Sequence, residues 1–244
     1  MRKLLLLPII AVHLLSAQSI QTSEQLIKAM RDRYAGKWYK TLTFVQTTSQ
    51  VKPDTTLVNT WYEAFSFPGT MRVDMDSMGG NGMLLSGDSL YVFKEGALNS
   101  TRPYVHSLLL LGFDVYFLQP QETITKLKGL HFDLSLLHQD TWQGRQVYVI
   151  GAQKDDLHSP QIWIDKDRLL FVRLLEPAGA DGKLTRETQF NNYVPVGKGW
   201  LATEVAFMVD GQVRMSEKYY DYKGNPKLDL KLFVPQHWTT ARWK

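Results

Sequence analysis

The segment Met83-Leu84-Leu85-Ser86-Gly87-Asp88-Ser89-Leu90-Tyr91-Val92-Phe93 places two short apolar runs on either side of a small, polar centre. Gly tolerates positive φ and Asp bonds to its own backbone, so Ser86-Gly87-Asp88 is typical of a tight turn. Apolar runs flanking such a turn predict a β-hairpin. Upstream, apolar and charged residues alternate at Met71, Arg72, Val73, Asp74, Met75 and Asp76. This alternation predicts a strand of an antiparallel sheet with one apolar face and one wet face.

Antiparallel strands are predicted along most of the remaining chain. A second series is expected at residues 146–150, 161–165, 169–176, 184–193, 200–209 and 213–222, separated by turn sequences such as Asp181-Gly182 and Asp210-Gly211. Most of the connections are too short for parallel crossovers. No linker or composition shift divides the chain. We therefore expect a mainly β protein with a single domain over residues 18–244.

Three helical segments are predicted. Residues 24–34 carry apolar side chains at helical spacing, with Ser23 as a possible cap residue and Gly36 beyond the end. Residues 103–118 and 121–128 form a second helical region between the two series of strands. The 103–118 segment is apolar nearly all round, so we expect apolar neighbours on all its sides. We interpret it as a lid over the apolar face of the sheet, with a break or hinge at Gly112.

The N-terminus has the order of a secretory signal peptide. Met1-Arg2-Lys3 is followed by an apolar run over residues 4–15 and by Ser16 and Ala17. The run is too short to span a bilayer. We expect cleavage after Ala17, with Ser19 as the alternative, and a soluble periplasmic protein of 227 residues. Without cysteine the chain has no disulfides and no thiol for a lipid anchor.

Charge and motifs favour a non-enzymatic protein without cofactor or metal. Loss of Arg2 and Lys3 leaves 26 basic and 24 acidic residues, which gives no field for nucleic acid. Gly87-Asp88-Ser89-Leu90 matches the four-letter signature of an esterase family, but it falls in a hairpin turn and no esterase activity is expected. The histidines lack metal-ligand spacing, and no phosphate-binding loop occurs. Scattered carboxylates leave a glycosidase pair open, although no spacing favours one.

Aromatic residues and methionines are frequent on the predicted strands. They include Phe44, Trp61, Phe65, Met71, Met75, Met83, Tyr91, Phe93, Trp163, Phe171 and Phe207. Large side chains of this kind mostly fill the cores of ordinary sheets. Methionine and aromatic residues also form adaptable apolar binding surfaces. Composition alone leaves both interpretations open.

The chain resembles the outer-membrane lipoprotein-sorting proteins, the family of the periplasmic carrier LolA, over residues 24–235. The most specific matching stretch is the 83–93 hairpin. The other matching segments are Phe44-Val45-Gln46, Phe67-Pro68, Met71-Arg72-Val73-Asp74, the strand–turn–strand at 162–169, the 179–185 run and Phe233-Val234-Pro235. The family's carriers have an Arg directly before the Pro of the third strand, where this chain has Phe67. The resemblance therefore predicts the fold of this chain better than it predicts the ligand that the chain carries.

The resemblance implies a LolA- and LolB-like incomplete antiparallel β-barrel, or half-barrel, with helices covering its concave apolar face. Such a cavity would shield the acyl chains of a lipid or lipoprotein, each buried methylene contributing about 0.8 kcal/mol. The residues expected to line it are Phe44, Trp61, Phe65, Met71, Val73, Met83, Leu85, Tyr91, Phe93, Leu108, Leu109 and Phe113. A monomer that meets membrane-associated donor and acceptor proteins is expected. The alternative is a periplasmic protein of the same fold that senses lipid or a protein and transports nothing.

Overall fold

The computed structural model describes residues 19–244, so the predicted signal peptide at 1–17 lies outside the described residues. The described chain is mainly β, as predicted. Its strands are β1 (Thr41–Val51), β2 (Thr56–Ser66), β3 (Thr70–Met75), β4 (Asn81–Ser86), β5 (Ser89–Lys94), β6 (Ala97–Pro103), β7 (Leu137–Trp142), β8 (Arg145–Ile150), β9 (Gln161–Asp165), β10 (Phe171–Ala178), β11 (Leu184–Val196), β12 (Gly199–Val209) and β13 (Gln212–Gly224).

The 13 strands form one antiparallel sheet in the order β6-β5-β4-β3-β2-β1-β13-β12-β11-β10-β9-β8-β7. Neighbours in the sheet are neighbours in the chain everywhere except at the centre, where β1 pairs with β13. The sheet is not closed, because β6 and β7 form its two edges. The chain between these edges carries the second helical region, which packs on the inner face of the sheet. This arrangement confirms the predicted half-barrel with helical cover.

The first helix, α1 (Ser23–Tyr34), is confirmed with a different cap. Thr22, not Ser23, is the N-cap residue: its hydroxyl accepts a hydrogen bond from the Gln25 amide at 3.2 Å, and the Gln25 side chain accepts one from the Thr22 amide at 3.3 Å. This reciprocal capping box satisfies two amides that a helix start leaves unpaired. Ser23 is instead buried, and its hydroxyl donates to the Leu136 carbonyl at 3.4 Å.

The prediction of one helix over residues 103–118 is wrong. Pro103 ends strand β6, and the segment then forms the short helix α2 (Ser107–Gly112) and a 3-10 turn (Asp114–Tyr116). The break that we expected at Gly112 lies there, since Phe113 leaves the helical region with φ −140° and ψ −60°. Helix α3 (Pro120–Gly129) follows. None of the helices within residues 19–244 is long and apolar enough to cross a membrane.

Gly112 is explained by close packing of α2 on strand β11. A Cβ atom at this position would lie 2.8 Å from the Phe190 ring. Such a contact is far below van der Waals distance, so only glycine lets the helix approach the sheet this closely. The cost of a glycine in a helix is thereby offset by the packing that it permits.

The prediction that the charged face of β3 is exposed to solvent is wrong. The outer face of strands β2 to β5 is covered. Arg72 and Asp74 are both fully buried, because the C-terminal segment, residues 228–243, covers them. Two hydrogen bonds of 2.7 and 2.8 Å join the guanidinium to the carboxylate. Arg72 also donates to the Trp238 carbonyl at 2.8 Å, and its guanidinium lies 4.2 Å from that residue's ring. A buried charge pair of this kind is stable only when such additional bonds complete it.

Candidate functional site

A cavity of about 240 Å³ lies between the inner face of the sheet and helix α2. Seven strands and both ends of α2 contribute to its wall. The lining residues are Phe44, Trp61, Glu63, Phe65, Met71, Val73, Met83, His106, Leu108, Leu109, Phe113, Phe190, Val205, Phe207, Met215, Glu217 and Tyr219. Most of them are aliphatic, aromatic or methionine, so the wall is mainly apolar with a few polar groups, which is the usual character of a small-molecule site.

Nine of the twelve residues expected to line a cavity do so. They are Phe44, Trp61, Phe65, Met71, Val73, Met83, Leu108, Leu109 and Phe113. Leu85 lies in the same apolar core but borders a separate space of only about 20 Å³ under α2. Tyr91 and Phe93 point to the outer face, where Phe93 stacks on Trp238 with ring centroids 4.2 Å apart. Whether the nine residues bind a ligand stays a prediction.

The opposite wall of the cavity was not identified from the sequence. It consists of side chains from β11, β12 and β13: Phe190, Val205, Phe207, Met215, Glu217 and Tyr219. The pairing of β1 with β13 brings these side chains beside Phe44, and Tyr219 stacks on that ring at 4.2 Å. Phe207 was the one member of this wall that the aromatic content of the strands singled out.

Two carboxyl groups, Glu63 on β2 and Glu217 on β13, face this apolar cavity. Their residues are 7% and 8% exposed. The Tyr219 hydroxyl donates a hydrogen bond of 2.7 Å to Glu217. Burial raises the pKa of Glu217 to about 7, against the lowering effect of that hydrogen bond. Burial and the charge of Glu217 hold the pKa of Glu63 well above its ordinary value.

Helix α2 is capped by a neutral histidine at the edge of the cavity. His106 is the N-cap residue, and its Nδ1 accepts a hydrogen bond from the Leu109 amide at 3.3 Å. Burial lowers the pKa of His106 to about 4. The ring is therefore uncharged at neutral pH, which is the state in which a ring nitrogen can accept a hydrogen bond.

The segment after α2 is fixed to the rest of the protein by polar bonds and stacked rings. Asp114 accepts a hydrogen bond of 2.9 Å from the Gly69 amide in the β2–β3 turn, and burial raises the pKa of its carboxyl to about 7. Tyr116 stacks on Trp38 at 4.0 Å. Phe67, which stands where the family's carriers have an Arg, stacks on Phe113 at 5.1 Å. These contacts fix the C-terminal end of α2, the helix that covers the cavity.

The esterase-like motif forms a hairpin turn, as predicted. Gly87 and Asp88 both have positive φ, 59° and 57°, and connect β4 to β5. Two successive positive φ angles are the signature of a type I′ turn. The Asp88 carboxylate pairs with Lys126 at 2.7 Å. Among residues 19–244, no group of three or more His, Asp or Glu side chains is placed to hold a metal ion.

A long antiparallel sheet, open at its edges and closed by helices over an apolar cavity, defines the LolA-like fold class. Three solved structures with this fold are similar to 88% of the chain. They are a DUF1329 family protein from Desulfovibrio piger (TM-score 0.60, 14% identity, 97% of that chain covered), a LolA superfamily protein from Nitrosomonas europaea (0.54, 11%, 98%) and a proposed outer membrane lipoprotein-sorting protein domain from Vibrio parahaemolyticus (0.60, 12%, 97%).

The resemblance to LolA-like proteins is thus confirmed at the level of the fold. No protein-family model matches the sequence, and comparison with curated proteins gave no match.

Proposed function

We propose that this protein is a periplasmic carrier that binds an acyl chain of a lipid or lipoprotein in its cavity and delivers it towards the outer membrane, without catalysing a reaction. The observation that carries the proposal is the apolar cavity of about 240 Å³ beneath α2. The likeness in fold to structures described as LolA superfamily and as lipoprotein-sorting supports it. Burial of a chain in this cavity stabilises a complex by about 0.8 kcal/mol for each methylene.

The size of the cavity limits what it holds in the described arrangement. A volume of 240 Å³ is below the roughly 300–1,000 Å³ of sites for drug-sized ligands. One short chain, or part of a longer one, fits under α2 as it stands. Binding of several long acyl chains therefore requires α2 to move away from the sheet, which is the movement expected of a lid.

Organic extraction of the protein purified from its native compartment, followed by mass spectrometry, tests binding. A carrier should yield acyl-containing lipid or lipoprotein in stoichiometric amount. It should also release that cargo to acceptor vesicles, whereas a sensor of the same fold retains it. Extracts without lipid, together with failure to bind any hydrophobic probe, would reject the proposal.

A further inference from the structure

Glu63 is a buried acid that lacks a protein partner in the cavity. Its residue is 7% exposed and its side chain lines the cavity. No side chain or backbone group within residues 19–244 forms a hydrogen bond or an ion pair with its carboxyl group. A buried polar group without a partner is costly, so an unpaired one in a folded protein points to a water, an ion or a ligand that completes it.

The surroundings of Glu63 hold further hydrogen-bond acceptors. Gln46 lies on β1, between Trp61 of β2 and Tyr219 of β13, and is fully buried. Its amide nitrogen donates to the Thr48 hydroxyl at 2.8 Å, while its carbonyl oxygen has no partner among the described residues. The Tyr219 hydroxyl is bonded to Glu217, and the Gln46 amide, which also favours the Glu217 carboxylate, is bonded to the Thr48 hydroxyl. Neither group bonds to Glu63.

No positive charge of the described protein meets this need. The residues that line the cavity, from Phe44 to Tyr219 in the sequence, include no Lys or Arg. The titratable groups that face it are Glu63, Glu217, Tyr219 and His106, and burial keeps the histidine neutral by lowering its pKa to about 4. A ligand that pairs with Glu63 in this cavity must itself provide the positive charge.

We propose that the cavity selects an amphiphile whose polar group is an amine, with its hydrocarbon chain against Phe44 and Phe65 and its ammonium group paired with Glu63. This inference rests on the proposed carrier function, because it names the class of ligand for the same cavity. An ammonium group offers three donors and a positive charge that stabilises the ionised form of a buried carboxyl group. A hydroxyl offers one donor and no charge, and a carboxylate adds a like charge. The amine is therefore the headgroup that fits.

The pairing implies a defined pH dependence. The acids hold at least one proton at low pH, since burial raises the pKa of Glu217 to about 7 and that of Glu63 well above its ordinary value. An ammonium ion that pairs with the carboxylate releases this proton to solvent. The affinity for an alkylamine should therefore rise between pH 5.5 and pH 8, while that for an uncharged alcohol of equal chain length should not change.

Competition for the neutral dye Nile red tests the proposal with decylamine, 1-decanol and decanoate at pH 8. Decylamine should displace the dye from the wild-type protein at a concentration at least about tenfold lower than decanol, and decanoate should be the weakest. Glu63→Gln should abolish the preference for the amine, so that decylamine and decanol displace the dye at similar concentrations. Glu204→Gln, which changes a partly exposed carboxylate of β12 paired with Lys218, is the matched control and should behave as wild type.

The outcomes separate this inference from the function on which it rests. Equal displacement by decylamine and decanol, or a preference that survives in Glu63→Gln, overturns the amine proposal and leaves the carrier intact. Failure of all three compounds and the dye to bind rejects both. If Glu63→Gln does not unfold cooperatively, Glu217→Gln provides the same comparison, with a reduced amine preference expected and an unchanged one contradicting the proposal.

The same assay with short-chain phosphatidylethanolamine and phosphatidylcholine identifies the source of the amine. A preference for the ethanolamine headgroup that depends on Glu63 supports an aminolipid. A preference confined to decylamine supports a free alkylamine.

Discussion

A carboxyl group buried in an apolar cavity binds its proton more tightly in the folded protein than in the unfolded chain. Glu217 has this property, since burial raises its pKa from 4.5 to about 7. The folded state then holds more protons than the unfolded state between these two values, so the stability contributed by this group is lost as the pH rises from 4.5 to 7. The protein therefore retains an acid that destabilises its fold at neutral pH, as expected of a group with a role in binding.

Glu217→Gln should therefore stabilise the protein at pH 8 and have little effect at pH 4.5. Glutamine keeps an oxygen that can accept the Tyr219 hydroxyl bond and cannot ionise. We expect the free energy of unfolding at pH 8 to rise by about 1–3 kcal/mol. Urea denaturation at both pH values measures the effect, with Glu204→Gln as the control. A variant that is less stable than wild type at pH 8 would contradict this account of the cavity.

His106 should have the opposite dependence, because it is a base that burial keeps neutral. Its pKa is about 4 in the folded protein against 6.5 ordinarily. The unfolded chain binds the extra proton as the pH falls through this window, so stability is lost between pH 6.5 and pH 4. His106→Asn retains a good N-cap residue without the titration. Between pH 6.5 and pH 4, the free energy of unfolding should therefore fall by up to about 3 kcal/mol less in the variant than in the wild type.

The comparison for His106 is the exposed histidine at position 131. His131→Asn makes the same substitution at an exposed position outside the cavity and controls for the substitution itself. If His106→Asn and wild type lose stability in parallel between pH 6.5 and pH 4, His106 is already charged in the folded protein, and the cap described above does not form at low pH.

Among the elements, those with a clear periodicity were predictable from the sequence and those without it were not. Strand β9 has the predicted bounds, Gln161–Asp165, because its residues are apolar and bounded by turns. The edge strand β6 is exposed along its whole length and carries no apolar alternation, so no strand was predicted over residues 97–102 and its last residue, Pro103, was assigned to a helix. The edge strand β7 was missed for the same reason, since it is polar and mostly half-buried.

Helix α2 offers a matched pair of leucines that separates a lid from a core helix. Leu108 is half-buried and lines the cavity, whereas Leu111 is 2% exposed and does not. Leu108→Asp should weaken binding of Nile red while cooperative unfolding survives, because water reaches this position. Leu111→Asp buries an unpaired carboxylate and should destabilise the protein by several kcal/mol. Dye titration and urea denaturation of both variants measure the difference.

Two results would change this view of α2. If Leu108→Asp unfolds the protein as Leu111→Asp does, the helix is a core element throughout and does not act as a lid. If neither variant affects dye binding, the dye binds elsewhere on the molecule, and the cavity beneath α2 is not its site.

At the scale of the whole molecule, about half of the candidate site followed from the sequence. Strands β2, β3 and β4 are consecutive hairpins, so the alternation of Trp61, Met71 and Met83 with other residues already places them on one face. The opposite wall depends on the pairing of β1 with β13, which joins residues some 170 positions apart. Local patterns carry no information on such a pairing, and Glu217 was missed for this reason, whereas Glu63 lies between Trp61 and Phe65 on β2 and was passed over as one charge in an apolar alternation.

The C-terminal segment is the other feature that only the whole molecule explains. Trp238 is 1% exposed. It stacks on Phe93, donates a hydrogen bond of 3.1 Å to the Gly80 carbonyl, and lies against Gly82, where any side chain would meet its ring at 2.8 Å. The segment thus encloses the Arg72–Asp74 pair on the face of the sheet opposite to the cavity. Stability and the proposed binding function therefore lie on different faces of the same strands.

Trp238→Ala tests this division between the two faces. Loss of the ring removes its packing and exposes a charge pair that the fold has buried, so the free energy of unfolding should fall by about 3–5 kcal/mol. Trp243→Ala, in the same segment but half-buried, should cost much less. Dye binding under native conditions should be unchanged in both variants, because neither residue touches the cavity. A Trp238→Ala protein that remains folded but no longer binds the dye would instead show that the two faces are coupled through β3 and β4, whose inner residues Met71, Val73 and Met83 then depend on the outer layer for their position.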